Sequence, residues 1–483
     1  MLEHSSLRLI TGLGEKGYHD TSVVVLDKLL KNKAISNSFR MKIPLLRAIE
    51  RVAGVRESSD WVQRKQAYEE ARNDLEHLLE EQQEQSLLAD AAFQLGMVFL
   101  DTGRLYKNSV TPEYKDSSEA HKFFVLAVET FVGPRSGQTA LKAFENEIQV
   151  VEDNIHSYRK QRIATSGDRR AITQLEQRRE ILRGRKMQVQ LLAAESFSEM
   201  AECFEQNSEE WEQSLEKALQ RYRAVYEATP NRSAGIWAKL EEGKTLLALD
   251  RQKDGQDVLL DITKLASSEG LIYQLRVKAV DALLSMWLGT ASLGDDENFD
   301  ERLRQFVLRD STAYHSDADA LSMKFGAAEL LRRRLGASSS TPEATRDTLL
   351  ADIRILARDV AKNGGIHAVS ARNLLKKLGR KDAAFAGRLS QGFMASYQHA
   401  EEVLSQYRKN PTESKRLEAF VELQQVLKIA PAQRAEDEGR KREQLSLLRY
   451  QLALLFYEDK RYHEAIALGE LLTKDSAYDP VRK

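Results

Sequence analysis

Apolar positions recur along this chain at intervals of three and four, the period of a helix with one buried face. They come in paired stretches. Near the C-terminus, residues 452–472 place a large residue beside a small one (Leu452, Ala453), an aromatic soon after (Phe456), then Tyr462 and Ala465. The same order recurs at Leu95-Gly96 with Phe99, then the turn signal Thr102-Gly103-Arg104. About twelve extra residues (107–118) follow, and then Ala120, Phe124 and Ala127. It recurs at Met200-Ala201 with Phe204, followed by Ala218, Tyr222 and Val225 and a stop at Pro230. It recurs again at Glu242-Gly243 with Leu246, followed by Gly255 and Leu259. Residues 9–29 carry a looser copy: Leu13, Gly17-Tyr18, Ser22, Leu26 and Leu29. The physical sense is a helix pair. A small residue lets the two helices approach, an aromatic fills the gap, and a second small residue receives the next pair. Val23-Val24-Val25-Leu26 has strand propensity, but the register puts it on a helix.

This spacing resembles the tetratricopeptide repeat, whose helix pair carries L-G-x2-Y, then A-x3-F, then P. The opening stretch GLGEKGYHDTSVVVLDKLLKN is also similar to the start of large envelope-associated tetratricopeptide proteins of bacteria. The resemblance implies an all-α right-handed solenoid whose first helices line a concave protein-binding surface. No unit carries the family's Trp, and insertions split two units, so the expected array is irregular. Groove-facing positions are then Phe93, Gln94 and Met97; Glu202; Trp237, Leu240, Glu241 and Lys244; and Tyr450, Gln451, Leu454 and Tyr457. The Lys/Arg/Asn set with which some family members clamp a peptide C-terminus is not found.

Between repeats the period changes. Phe144, Ile148, Val151, Ile155 and Tyr158 form a heptad seam, Thr165–Asp168 reads as a turn, and Ile172, Leu175, Leu182 and Val189 resume the apolar stripe. The expectation is a protruding antiparallel coiled-coil hairpin over 139–164 and 169–206, its second helix merging into a repeat helix. From Arg159 to Lys186 ten basic residues face three acids. Its tip, Arg159, Lys160, Arg162, Arg169 and Arg170, is a candidate anion-facing surface for acidic protein, RNA or lipid headgroups.

Composition narrows the picture. Of 483 residues, 42% are apolar, enough for a core. Gly (25) and Pro (8) are scarce for an all-β fold with many tight turns. Net charge is −1, so no global field points to nucleic acid or membrane. One cysteine, Cys203, excludes an internal disulfide framework; it is expected as a small core residue inside a repeat helix. No apolar run reaches a membrane span, and Glu3, His4 and Arg8 interrupt the first fifteen residues where a secretory signal would be apolar.

Catalytic signals are weak. Ala238–Thr245 loosely fits a phosphate loop, but Lys239-Leu240-Glu241-Glu242 favours helix and turns carboxylates toward an anion. His315, Asp317 and Asp319 are expected to cap a helix rather than bind metal. Thr341-Pro342-Glu343 reads as another helix start. No catalytic, metal or cofactor site is expected, and no small-molecule substrate.

The reading is of repeats over 1–138, the hairpin over 139–206, repeats over 207–300, irregular helical repeats over 301–435, and a last unit over 436–483. The expected role is a non-enzymatic scaffold for protein partners. The alternatives are an architectural segment of a larger cell-envelope assembly and a nucleotide-binding enzyme. The compartment is cytoplasmic, or periplasmic and envelope-associated behind an upstream signal. No solvating helix follows Asp479-Pro480, so Leu468, Leu471 and Leu472 are expected to stay partly uncovered, for further repeats or another subunit.

Overall fold

The computed structural model describes residues 2–56, 58, 60–81, 85–109, 111–133, 139–160, 166–265, 270–289, 301–308, 317–337, 343–363, 366–378, 393–409, 413–429, 438–459 and 461–474. Arg162, His315, Thr341 and Pro342 lie outside them. The described residues form twenty α-helices and one 3-10 turn, and no strand. The chain divides into two compact units, 1–255 and 256–483.

The first unit holds α1 (Leu2–Glu15), α2 (His19–Leu30), α3 (Asn37–Val55), α4 (Trp61–Glu81), α5 (Gln85–Lys107), α6 (Ser117–Phe131), α7 (Ala140–Lys160), α8 (Ser166–Ala201), α9 (Glu209–Ala228) and α10 (Ser233–Ala248). Each packs on the next in sequence, and α5 also meets α7, as α6 meets α8. Helix ends follow side-chain chemistry. Asp116 caps α6 by accepting from the Ser118 and Glu119 amides, both at 2.9 Å. Ser208 caps α9 through the Trp211 amide at 3.2 Å. Gly17, at φ 78°, closes α1: Tyr18 N–H donates to the Leu13 carbonyl and Gly17 N–H to that of Gly14. That double bond pattern needs a left-handed residue, which glycine adopts at least cost. Val23–Leu26 is helical, within α2.

Close approach between helices is built on glycine. Gly96 of α5 lies against the fully buried Phe131 ring of α6, so that even a methyl group at Gly96 would collide with it. Gly255 sits against Leu247 and the Gly243 carbonyl of α10. Gly103 corrects the sequence reading. It is no turn residue, because α5 runs on to Lys107; a Cβ there would lie 2.5 Å from the Phe124 ring. The insertion after α5 makes a 3-10 turn, Pro112–Tyr114, whose Tyr114 stacks on Trp61 with centroids 4.3 Å apart.

Helices α7 and α8 lie antiparallel, joined across their length by Glu145–Lys186 (2.8 Å), Glu147–Arg178 (2.5 Å), Glu152–Arg183 (2.8 Å) and Arg159–Glu176 (2.7 Å). Phe144, Val151, Ile155, Ile172, Leu182 and Val189 are buried between elements, while Tyr158 is exposed. The pair is not a finger along its whole length. Arg185 reaches Asp90 of α5 at 3.3 Å, and Glu180 holds Arg232 at 3.1 Å. About 21 Å of α8 lies beyond that outermost tie, at 1.5 Å per residue. α8 also stops at Ala201, short of the expected 206, where the chain turns through Asn207 at φ 66° into the α9 cap.

The second unit takes in α11 (Gln252–Thr263), which begins at the end of the first, then α12 (Gly270–Gly289), α13 (Glu301–Leu308), α14 (Ala318–Ala337), α15 (Glu343–Asn363), α16 (Ala368–Leu378), α17 (Phe393–Lys409), α18 (Glu413–Ile429), α19 (Glu438–Glu458) and α20 (Tyr462–Lys474). Asp317 caps α14 through the Asp319 and Ala320 amides. Lys324, 2% exposed, is neutralised by Asp359 of α15. Tyr397, Leu404, Leu423, Leu448, Leu452 and Phe456 knit α17, α18 and α19 into one core. Leu468 packs half-buried on that core and Leu472 is half-buried, while the side chain of Leu471 lies outside those described; exposed on α20 are Ile466, 60% exposed, and Tyr462.

Candidate functional site

Three helices of the first unit each present a polar stripe at helical spacing. On α5 it runs through Gln94, Met97, Asp101, Arg104 and Lys107; on α8 through Glu195 and Glu199, continued by Glu202 in the turn that follows; on α10 through Trp237, Glu241 and Lys244. Intervals of three and four put each set on one helix face. The α5 and α8 stripes are joined by charge. Arg104 donates to Glu195 at 2.5 Å and to Glu199 at 2.8 Å, and Lys107 donates to Glu199 and, at 2.6 Å, to Glu202. Glu241 of α10 lies close enough for its charge to act on Glu195, and it pairs with Lys244 at 2.9 Å.

Burial and pairing compete at these groups. Burial pushes the Glu195 and Asp101 carboxyls upward, the charge of Arg104 only partly opposing it. Burial also raises Glu199, but the Lys107 hydrogen bond and the Arg104 charge outweigh it and hold that carboxyl below its ordinary value. Burial lowers Arg104 and Lys107, and their carboxylate partners more than restore them. Cys203 lies not in a helix but in the turn after α8, half-buried, and its thiol is pushed up to about 11, chiefly by burial.

Of the sequence-named groove residues, the structure gathers Gln94, Met97, Glu202, Trp237, Glu241 and Lys244 onto these stripes. Two others are core. Phe93 is 5% exposed, within 6.4 Å of the Phe131 and Phe144 rings, with Arg185 over its face; Leu240 is fully buried. A periodicity of 3.6 leaves neighbouring positions ambiguous between the core edge and the surface edge of a stripe. Arg104, Lys107, Glu195 and Glu199 were missed, although an acid triplet at 195, 199 and 202 is a readable signal.

Tyr450, Gln451, Leu454 and Tyr457 sit on α19, in the second unit. Tyr450 and Tyr457 are exposed, and Tyr457 meets Tyr462 edge-on at 5.5 Å. Gln451 accepts from Arg408. It helps line a cavity of about 140 Å3 among α17, α18 and α19.

The basic tip is narrower than the linear count implied. Arg159, Arg178, Arg179, Arg183, Arg185 and Lys186 all pair with acids, four of which (Asp90, Glu145, Glu147 and Glu152) come from outside the counted segment. Lys160, Arg169 and Arg170 are exposed and take part in none of the ion pairs among described residues. Ala238–Thr245 lies inside α10, where Thr245 donates its hydroxyl to the Glu241 carbonyl. Its amides are turned into a helix and form no phosphate cradle. Among the described residues no three His, Cys, Asp or Glu side chains are grouped to hold a metal ion, and no helix is long and apolar enough to cross a membrane.

No family model matches this chain. No curated protein matches it either.

Proposed function

We propose that the chain is an irregular tetratricopeptide-like solenoid, with an antiparallel coiled-coil hairpin inserted in its first half, and that it works as a non-enzymatic scaffold. Its first unit holds a protein partner on the face made by α5, α8 and α10. One observation carries this reading: Arg104 and Lys107 of α5 join Glu195, Glu199 and Glu202 in one ion network, and Glu241 of α10 lies near enough for its charge to act on Glu195. Such a face is rigid before binding, because the Arg104 and Lys107 pairs fix the side chains that line it. Glu202, Trp237 and Lys244 remain accessible within it, offering an acid, an aromatic and a base to an extended segment of mixed charge.

The test is capture from the native cell by the wild-type chain and by a Glu202→Lys, Trp237→Ala, Lys244→Glu variant. Loss in the variant of the proteins that the wild type retains supports the reading. Equal retention by a folded variant overturns it.

A further inference from the structure

We propose that the cavity among α17, α18 and α19 is a binding site for an alkylammonium group, with Glu401 as the counter-ion. The site is independent of the partner face of the first unit.

Its floor is aliphatic: Leu404, Leu423 and Leu448 are almost completely buried there. Its volume of about 140 Å3 is near that of cavities of ~150 Å3 that accept a benzene-sized molecule. A chain of four or five methylenes is of that size. At the cavity wall stands the half-buried Glu401. Among the described residues its one partner is Tyr397, whose hydroxyl donates to Oε1 at 2.7 Å. A neutral donor leaves the negative charge uncompensated, and burial holds this carboxyl above its ordinary value, as expected of an acid without a cation.

One cation, Arg408, shares the cavity wall. Arg408, two turns further along the same face of α17, donates to Gln451, and its charge acts on Glu458 and Tyr407. What acts on Glu401 is burial, opposed by the Tyr397 hydrogen bond. The cavity therefore combines an apolar floor with a carboxylate that has no cationic partner among the described residues, while the guanidinium in its wall is held by Gln451. A metal ion would want more than one such ligand. An alkylammonium places its stem on the leucines and its head on the carboxylate. That chemistry is carried by free aliphatic amines and by the lysine side chain of a polypeptide.

The experiment uses the full chain and follows 1-butylamine, 1-butanol, butyrate and the tripeptide acetyl-Gly-Lys-Gly-amide by ligand-observed NMR and titration calorimetry. At pH 7 the amine is expected to bind at least tenfold tighter than the isosteric alcohol, with butyrate weakest. Tighter binding of the tripeptide assigns the site to a lysine side chain; tighter binding of butylamine assigns it to free amines. Glu401→Gln, near-isosteric, should cut the amine's affinity at least tenfold and leave that of butanol within twofold. Leu447→Trp should fill the cavity and abolish both. Equal binding of amine and alcohol, undiminished amine binding to a folded Glu401→Gln chain, or no binding of any amine by the wild type overturns the proposal.

Discussion

Gly103 of α5 lies beneath the Phe124 ring of α6, so close that a single methyl group there would sit 2.5 Å from the ring carbons. Phe124 is fully buried and has nowhere to go. This contact, repeated at Gly96 and Phe131, sets the spacing of the two helices. Glycine normally weakens a helix interior by roughly 0.5–1 kcal/mol relative to alanine, and here the close packing outweighs that loss.

Glycine-to-alanine substitutions should therefore change sign with position. Gly103→Ala and Gly96→Ala overpack a closed core and should each destabilise the chain by about 1–3 kcal/mol. Gly184→Ala, in exposed helix with nothing within 4 Å of the new Cβ, should stabilise by roughly 0.5–1 kcal/mol. Denaturant titrations of the three variants check this.

The ion network on α5 and α8 predicts a pH signature. Glu199 is held below its ordinary value, so its contribution is fully present above the unfolded carboxylate range near 4.5. It is lost as pH falls through the lower folded value. Glu199→Gln should cost about 1–3 kcal/mol at pH 7, and the gap to wild type should shrink at pH 3. A gap that is the same at both values would mean that the pairing contributes nothing.

Cys203 should be a slow thiol. Raised from 9.0 to about 11, it carries roughly a hundredth of the thiolate of an ordinary cysteine at neutral pH. As the chain's one cysteine, it can be followed by iodoacetamide alkylation without interference. Alkylation of the native chain should be about 100-fold slower than in denaturant. Comparable rates would place the thiol in open solvent.

The basic residues of the α7–α8 pair should fall into two groups. Arg178→Ala strips the charge partner from Glu147, which is itself buried, and should cost about 1–3 kcal/mol of stability. Lys160, Arg169 and Arg170 can be reversed to Glu together with little effect on stability, surface substitutions staying within about ±0.5 kcal/mol each. Any low-salt binding to anionic vesicles should disappear with that second set alone.

Much of the fold was legible because small residues at fixed offsets have one physical use, close helix approach. Gly96 meets that expectation against Phe131, and Ala120 and Ala218 are fully buried. Gly103 was misread, since glycine beside Thr102 also satisfies turn chemistry, and only the tertiary contact with Phe124 decides between them. Val23–Leu26 is helical because packing overrode its propensity. The charge of the hairpin was misjudged for a different reason. A sum along the chain cannot include Glu145, Glu147 and Glu152, which the antiparallel return of α8 brings alongside Lys186, Arg178 and Arg183. Phe93 was placed in the groove because one step along a helix separates a core edge from a surface edge. Glu401 carries no local signal at all; its setting is made by three helices that meet only in the folded unit.

The central claim, a partner face on α5, α8 and α10, is tested most directly by site-specific photo-crosslinking in the native cell. A photoreactive residue placed singly at Gln94, Glu202 or Trp237 should trap one and the same protein from all three positions. Placed at Val24 or Val150, exposed on α2 and α7, it should trap none of it. Crosslinks to a common protein from Val24 or Val150, with none from the three stripe positions, would contradict the account.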